Sequence, residues 1–333
     1  MSQRSIPQHL ECRVSDFALR ACWLAENSAK PPTSKRRPLR IYAVDPSLFA
    51  REGAIATVTP LYENLRAGPA GQLILVDPVC SDGVSRYRSA ELDNPQVLRE
   101  GGFRPDMSNT GFHCQMVYAV GSMMHEAFSS ALGRRLSWAF GPESDGSGHI
   151  TVRPFALEEA NAYYSRSRRE ISLGYFKKNA GASQASTAQY VFSSLSADVI
   201  AHEFSHALLD SVKPYYREIT NPDLAAFHES FADLMALFQR LQFKNLIRAA
   251  LENSDGSLGK SPILTALAPD FAKSSGLGIG LRTFAPENLA ASSSFELTDA
   301  PLQYHALRDS DPHELGSVLT EAILEALVAV VEL

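Results

Sequence analysis

The stretch SADVIAHEFSHALLDSVKPYY, residues 196–216, sets His202, Glu203 and His206 in the spelling H-E-x-x-H. Histidines four apart on a helix stand one above the other, about 6 Å along the axis, so both rings can reach a single ion. Glu203 follows the first ring and can hold a water on that ion and take its proton. Chance puts such a spelling in a chain of this composition on the order of one time in a hundred, so other features must carry the reading. Val199, Ile200, Phe204, Ala207 and Leu208 supply apolar surface around the two rings. A buried imidazole needs a partner, and a metal is one. A catalytic zinc takes three protein ligands and keeps one position open. NPDLAAFHESFADLMALF, downstream, carries Glu229 and Asp233 at i and i+4 among Leu224, Phe227, Phe231, Leu234, Met235 and Phe238. Carboxylates in such surroundings are costly unless paired or metal-bound. Glu229 as third ligand, with Asp233 accepting the outer N–H of a ligand imidazole, uses both. His228 is the rival ligand, about 100° round the helix from Glu229. Near the end, DSDPHELGSVLTEAIL places His313 at a helix start beside Asp309 and Asp311. Next to a metal site such a histidine is a candidate transition-state donor.

The remainder of the chain has to position these groups. It has 333 residues, of which 45% are hydrophobic, enough for two domains or one large one. The net charge of −6 gives no general reason to expect a nucleic-acid partner. No apolar run reaches membrane-spanning length. MSQRSIPQHLECRVSDF lacks the apolar core of a secretory signal, and Cys12, Cys22, Cys80 and Cys114 form no C-x-x-C. Free thiols and a cytoplasmic location are therefore expected. Residues 1–38 read as an arm, with NSAKPPTSKRRPLR taken as a solvated linker rather than an acidic-partner patch. Strands are expected in LRIYAVDPSLF, AIATVTPLYENL and GQLILVDPV, over 150–155, and as a hairpin in NAYYSRSRREISLGYF. Helices are expected over 110–132, 194–212, 223–241 and 313–331, and loops around short helices over 242–300. His113 and His125, on the first helix, read as packed rather than ligating. The expected class is α+β. A 1–38 arm leads to a strand-rich part over 39–193 and a mostly helical part over 194–333.

DVIAHEFSHALLD, AFHESFADL and HELGSVLTEA, in that order, resemble the thermolysin-type gluzincin metalloproteases. With RIYAVDPSL and FHCQMVYAVGSMMHEAF the pattern is similar to a group of bacterial members of that type. The resemblance spans roughly 155–333. It implies a zincin-like fold with the site in a cleft between the two parts, and one zinc per chain held by His202, His206 and Glu229. It implies Glu203 as general base, Asp233 behind a ligand imidazole, and His313, paired with Asp309 or Asp311, on the oxyanion. Asn161 and Ala162 would hold the backbone of a peptide or protein substrate on an edge strand. Tyr215 and Tyr216 are approximate counterparts of a tyrosine that assists the oxyanion. The metzincin spelling fails at Leu209 and Val212, and the G-x-M-E-N of gluzincin aminopeptidases is absent, which favours an endopeptidase. LMALFQRLQFK after Asp233 lacks the family's acidic cluster, so calcium is not expected. Neither a nucleic-acid nor a membrane partner is expected. An inactive zinc-binding scaffold or toxin-type module, and a protease held latent by the 1–38 arm, are the competing readings. EALVAVVEL ends without a helix cap, so the expectation is either a chain cut short or one that lacks the C-terminal helices usual in that type.

Overall fold

Short alternating runs separated by Gly/Pro turns build the first half of the molecule, and long helices with apolar stripes build the second. A computed structural model describes residues 35–45, 54–80, 82–83, 89–140, 148–178, 190–217, 220–254, 256–257, 259–261, 265–269, 282–283, 307 and 311–331. Most of the expected arm over 1–38, and Asp309, lie outside the described residues.

β1 (Leu39–Tyr42) and β2 (Ile55–Val58) pair antiparallel, Leu39 opposite Val58. β3 (Ile74–Val76) follows, then a short helix α1 (Pro95–Glu100) and the long helix α2 (Thr110–Ala131). β4 (Ile150–Leu157), β5 (Ala162–Ser165), β6 (Glu170–Lys177) and β7 (Tyr190–Phe192) complete a mixed sheet with β3. Its order is β3-β4-β6-β5, with β7 also on β6. β3 and β4 run parallel, as do β4 and β6. The β4–β6 ladder is interrupted between Arg153 and Leu157, around Pro154, which has no N–H to give. β5 and β6 form the expected hairpin, Ala162 opposite Leu173 and Ser165 opposite Glu170. A Cβ on Gly174 would lie 2.3 Å from the Glu159 carbonyl oxygen and 2.4 Å from that of Asn161, so only glycine lets the chain enter β5 this close over β6.

α2 is buried continuously from Gly111 through Gly121. A helix apolar on all sides must be covered on all sides. β1, β3 and β4 pack against it, and so does the next long helix, α3 (Ala197–Val212). One 3₁₀ turn, Ser193–Leu195, leads into α3 and another, Pro214–Arg217, leaves it. α4 (Pro222–Arg240) starts with proline in its first turn, and Asn221 Oδ1 accepts the Leu224 N–H at 2.9 Å. α5 (Lys244–Glu252), a two-residue pairing of β8 (Ala266–Leu267) with β9 (Arg282–Thr283), and α6 (Pro312–Val331) complete the described chain. The class is α+β, strand-rich in the N-terminal half and helical in the C-terminal part, as expected. A single cluster of buried apolar side chains runs from Leu39 in β1 through α2, the sheet, α3 and α4 to Leu324 in α6. No helix among the described residues is long and apolar enough to cross a membrane.

Candidate metal centre

Phe204 decides which way α3 faces. It is fully buried, and a Cβ on Gly121 of α2 would sit 2.2 Å from its ring. Phe204 lies two residues from both His202 and His206, about 200° round the helix. With Phe204 pressed on α2, both imidazoles point the other way, towards α4. An ion pair fixes the register between those two helices. Arg240 Nε donates to Asp198 Oδ1 at 2.8 Å and Nη2 to Asp198 Oδ2, while Nη1 reaches the Ala266 carbonyl at 2.9 Å. The Ala268 N–H adds a further bond to Asp198 Oδ2 at 2.9 Å. Asp198 stands in the first turn of α3, where the helix dipole favours a negative charge.

Four side chains meet where α3 and α4 face each other. His202 Nε2 and His206 Nε2 are 3.1 Å apart. Glu229 Oε2 is 3.3 Å from His202 Nε2, and Oε1 is 3.7 Å from His206 Nε2. Asp233, 1 % exposed, accepts the His202 Nδ1–H at 2.9 Å. That bond leaves Nε2 as the nitrogen facing the cage. Zinc bonds of about 2.0–2.1 Å put tetrahedral ligand atoms about 3.3–3.4 Å apart, and the observed separations bracket that spacing. Two ring nitrogens and a carboxylate converging on one point form a donor set that suits such a cation, and the residues present fit it. They are also the only group of three His, Cys, Asp or Glu among the described residues with that proximity. His228 is placed differently. Its ring stacks on that of His206, centroids 5.8 Å apart and planes at 27°.

The electrostatics of the cage follow from its burial and its carboxylates. Burial alone would push the His202 pKa down. The hydrogen bonds to Asp233 and Glu229, with the charges of Asp233 and Glu203, outweigh it and raise the pKa to about 10. Glu229 is the converse: burial would raise its pKa, but His202, His313 and the charge of His206 hold it far below the usual carboxylate range. Glu203 is buried beside the first ligand ring.

His313 enters from α6. Its Nε2 lies 3.0 Å from Glu229 Oε2 and its Nδ1 2.6 Å from Asp311 Oδ1. Asp311 also accepts the His313 backbone N–H, which, as the largest cause, lowers the Asp311 pKa. Asp311 is thus in contact as one of the two expected acidic partners, and Asp309 lies outside the described residues. The ring stays 46 % exposed, at the mouth of the cage.

Asn161 leads into β5, and its Oδ1 accepts the Ala162 N–H at 2.8 Å. Tyr164 donates its hydroxyl to Asp210 Oδ2 at 2.9 Å, and Arg166 reaches Asp210 Oδ1 at 3.2 Å and the Pro214 carbonyl at 3.1 Å. These bonds hold β5 and the turn after it against the C-terminal end of α3. Among the described residues no strand pairs with the outer edge of β5. Among the described residues, neither tyrosine has a hydrogen bond or ring contact to the three converging side chains. Tyr215 is 80 % exposed, and Tyr216 packs edge-on against Phe227.

The other singled-out groups serve the fold. His113 Nε2 bonds the Met107 carbonyl and Nδ1 the Ser194 hydroxyl, and burial lowers its pKa to about 4. His125 Nε2 bonds the Leu136 carbonyl. In the basic run, Arg37 is buried against the carbonyls of Glu63 and Leu92 and the Asp93 carboxylate, and Arg40 bonds the Glu100 carbonyl.

The sequence reading passed over Asp198, Asp210, Arg240 and Gly316. Asp210, like Asp233, is an acid among apolar helix positions, and it stands one turn beyond His206. Asp198 and Arg240 are 42 residues apart, and no local pattern links them. Neither a scan of family models nor a search of curated proteins finds a match to the chain.

Proposed function

We propose that the chain is a zinc-dependent peptidase of the thermolysin-like gluzincin type, with a zincin-like fold, cleaving within peptide or protein substrates. The observation that carries this reading is the convergence of His202, His206 and Glu229 at tetrahedral spacing, with Glu203 beside it and Asp233 behind His202. In it, His202, His206 and Glu229 hold one zinc. When bound, zinc supplies a Lewis acid for the scissile carbonyl and lowers the pKa of a coordinated water towards neutrality. Glu203 takes the proton of the attacking water at its carboxylate and returns it to the leaving nitrogen. Asp233 holds the His202 ring in the tautomer that presents Nε2. His313, with Asp311 on Nδ1, turns its Nε2–H from Glu229 Oε2 to the oxygen that gains charge as the carbonyl becomes tetrahedral. The outer edge of β5 binds extended substrate by adding it as a strand, with Asn161 and Ala162 offering backbone groups.

The test is Glu203→Gln. This variant should fold, carry about one zinc per chain and lose roughly 10²–10⁴-fold or more in peptide hydrolysis. A Glu203→Gln protein as active as wild type sinks the mechanism. A wild type that holds zinc yet cleaves nothing in broad peptide libraries sinks the peptidase reading.

A further inference from the structure

α6 crosses α4 at Gly316. A Cβ there would stand 2.6 Å from the Ala226 carbonyl oxygen, 3.1 Å from the Ser230 nitrogen and 3.4 Å from Glu229 Cβ. One turn further, Thr320 Oγ1 and Ser230 Oγ meet at 2.9 Å, both fully buried. One turn back, His313 Nε2 reaches Glu229 Oε2 at 3.0 Å. These three contacts lie on one seam between the two helices. The His313 ring is half exposed, and its Nε2 contact reaches across to Glu229 on α4, so the distance at the helix crossing bears on where it stands.

We infer that Gly316 and the Ser230–Thr320 hydroxyl pair are positioning residues that hold His313 over the cleft. The inference rests on the peptidase reading above for its consequence in rate. The atom that a methyl at 316 meets first is a backbone carbonyl of α4, which cannot swing aside as a side chain can. Reaching ordinary contact means moving from 2.6 to 3.4 Å, so α6 must back away by about 0.8 Å. Misplacement on that scale costs an oriented group up to roughly 10²-fold in rate. Glu229 stays with His202 and His206, because α3 and α4 are held by Asp198 and Arg240.

The experiment compares full-length wild type, Gly316→Ala, Thr320→Val and Thr320→Ser, each also in a His313→Ala background. The measurements are zinc per chain, steady-state peptide hydrolysis and the imidazole ¹⁵N signals. Gly316→Ala should lower kcat by about 10–10²-fold with KM and zinc content little changed. It should add nothing to the loss in His313→Ala. Thr320→Val should act in the same direction, and Thr320→Ser should restore wild-type behaviour. The His313 ring signals should move in Gly316→Ala while those of His113 and His125 stay. A folded Gly316→Ala protein with unchanged kcat and unchanged His313 signals overturns the inference. So does an equal loss in both backgrounds, which marks general destabilisation. If Gly316→Ala does not fold, Thr320→Val decides by the same readouts. If wild type turns over no peptide, the peptidase reading fails, and the ring signals still decide this inference.

Discussion

Replacing Arg240 by methionine tests what keeps α3 and α4 in register. The guanidinium is fully buried and makes two bonds to Asp198 and one to the Ala266 carbonyl. Methionine keeps most of the volume of the stem and removes all three. Asp198 is then left buried with one backbone donor at 2.9 Å, from Ala268, and the N-terminal dipole of α3. Breaking one partner out of a buried pair costs about 3–5 kcal/mol, because the remaining charge has no counter-ion. The remaining donor and the dipole offset part of that, so about 3 kcal/mol is expected. Removing both charges, as in Asp198→Asn/Arg240→Met, should recover at least half of the loss, since the desolvation cost of the pair disappears with it. The assay is equilibrium urea unfolding followed by far-UV circular dichroism, with zinc content measured on the same samples. A single variant within about 1 kcal/mol of wild type would refute the reasoning, since the stranded carboxylate would then cost no more than an ordinary surface change. So would a double variant less stable than the single one.

Two further outcomes are expected. Glu229→Ala should lose zinc and His228→Ala should keep about one per chain, by elemental analysis of purified protein; the reverse pattern reassigns the third ligand. Stability should fall on acidification because of His113. Below pH 6.5 the unfolded chain takes up a proton that the folded ring refuses until about pH 4, so the loss develops across that window. It amounts to about 2 kcal/mol at pH 5 from this one ring, and His113→Asn should flatten the pH dependence of the urea midpoint. An equal slope in wild type and variant would assign the acid sensitivity elsewhere.

Several features of this molecule are determined within a few residues of chain. The i, i+4 spacing in HEFSH puts two rings on one helical face wherever that helix goes. The apolar neighbours of Glu229 and Asp233 mark both carboxylates as groups that need partners. The hairpin in NAYYSRSRREISLGYF follows from two strand-like runs with a polar turn between them, and Asn221-Pro222 marks the start of α4. These are local consequences of geometry and desolvation, so a single sequence displays them.

Other features depend on which distant surfaces meet. Tertiary packing placed the Glu229 carboxylate at the two histidine nitrogens, because α3 and α4 face each other in a register set by Asp198 and Arg240, and His228 then falls beside the His206 ring. It paired His313 with Asp311 through the first turn of α6 and brought that helix onto α4 at Gly316. It set Tyr216 edge-on against Phe227. It turned Arg37 inward to carbonyl and carboxylate partners and set Arg40 on the Glu100 carbonyl, where the composition of their segment suggested a solvated linker. The physical reason is common to all four. A side chain's partner across a helix crossing or a sheet is fixed by backbone approach and by the burial of both surfaces, and neither quantity is a property of the segment that carries it.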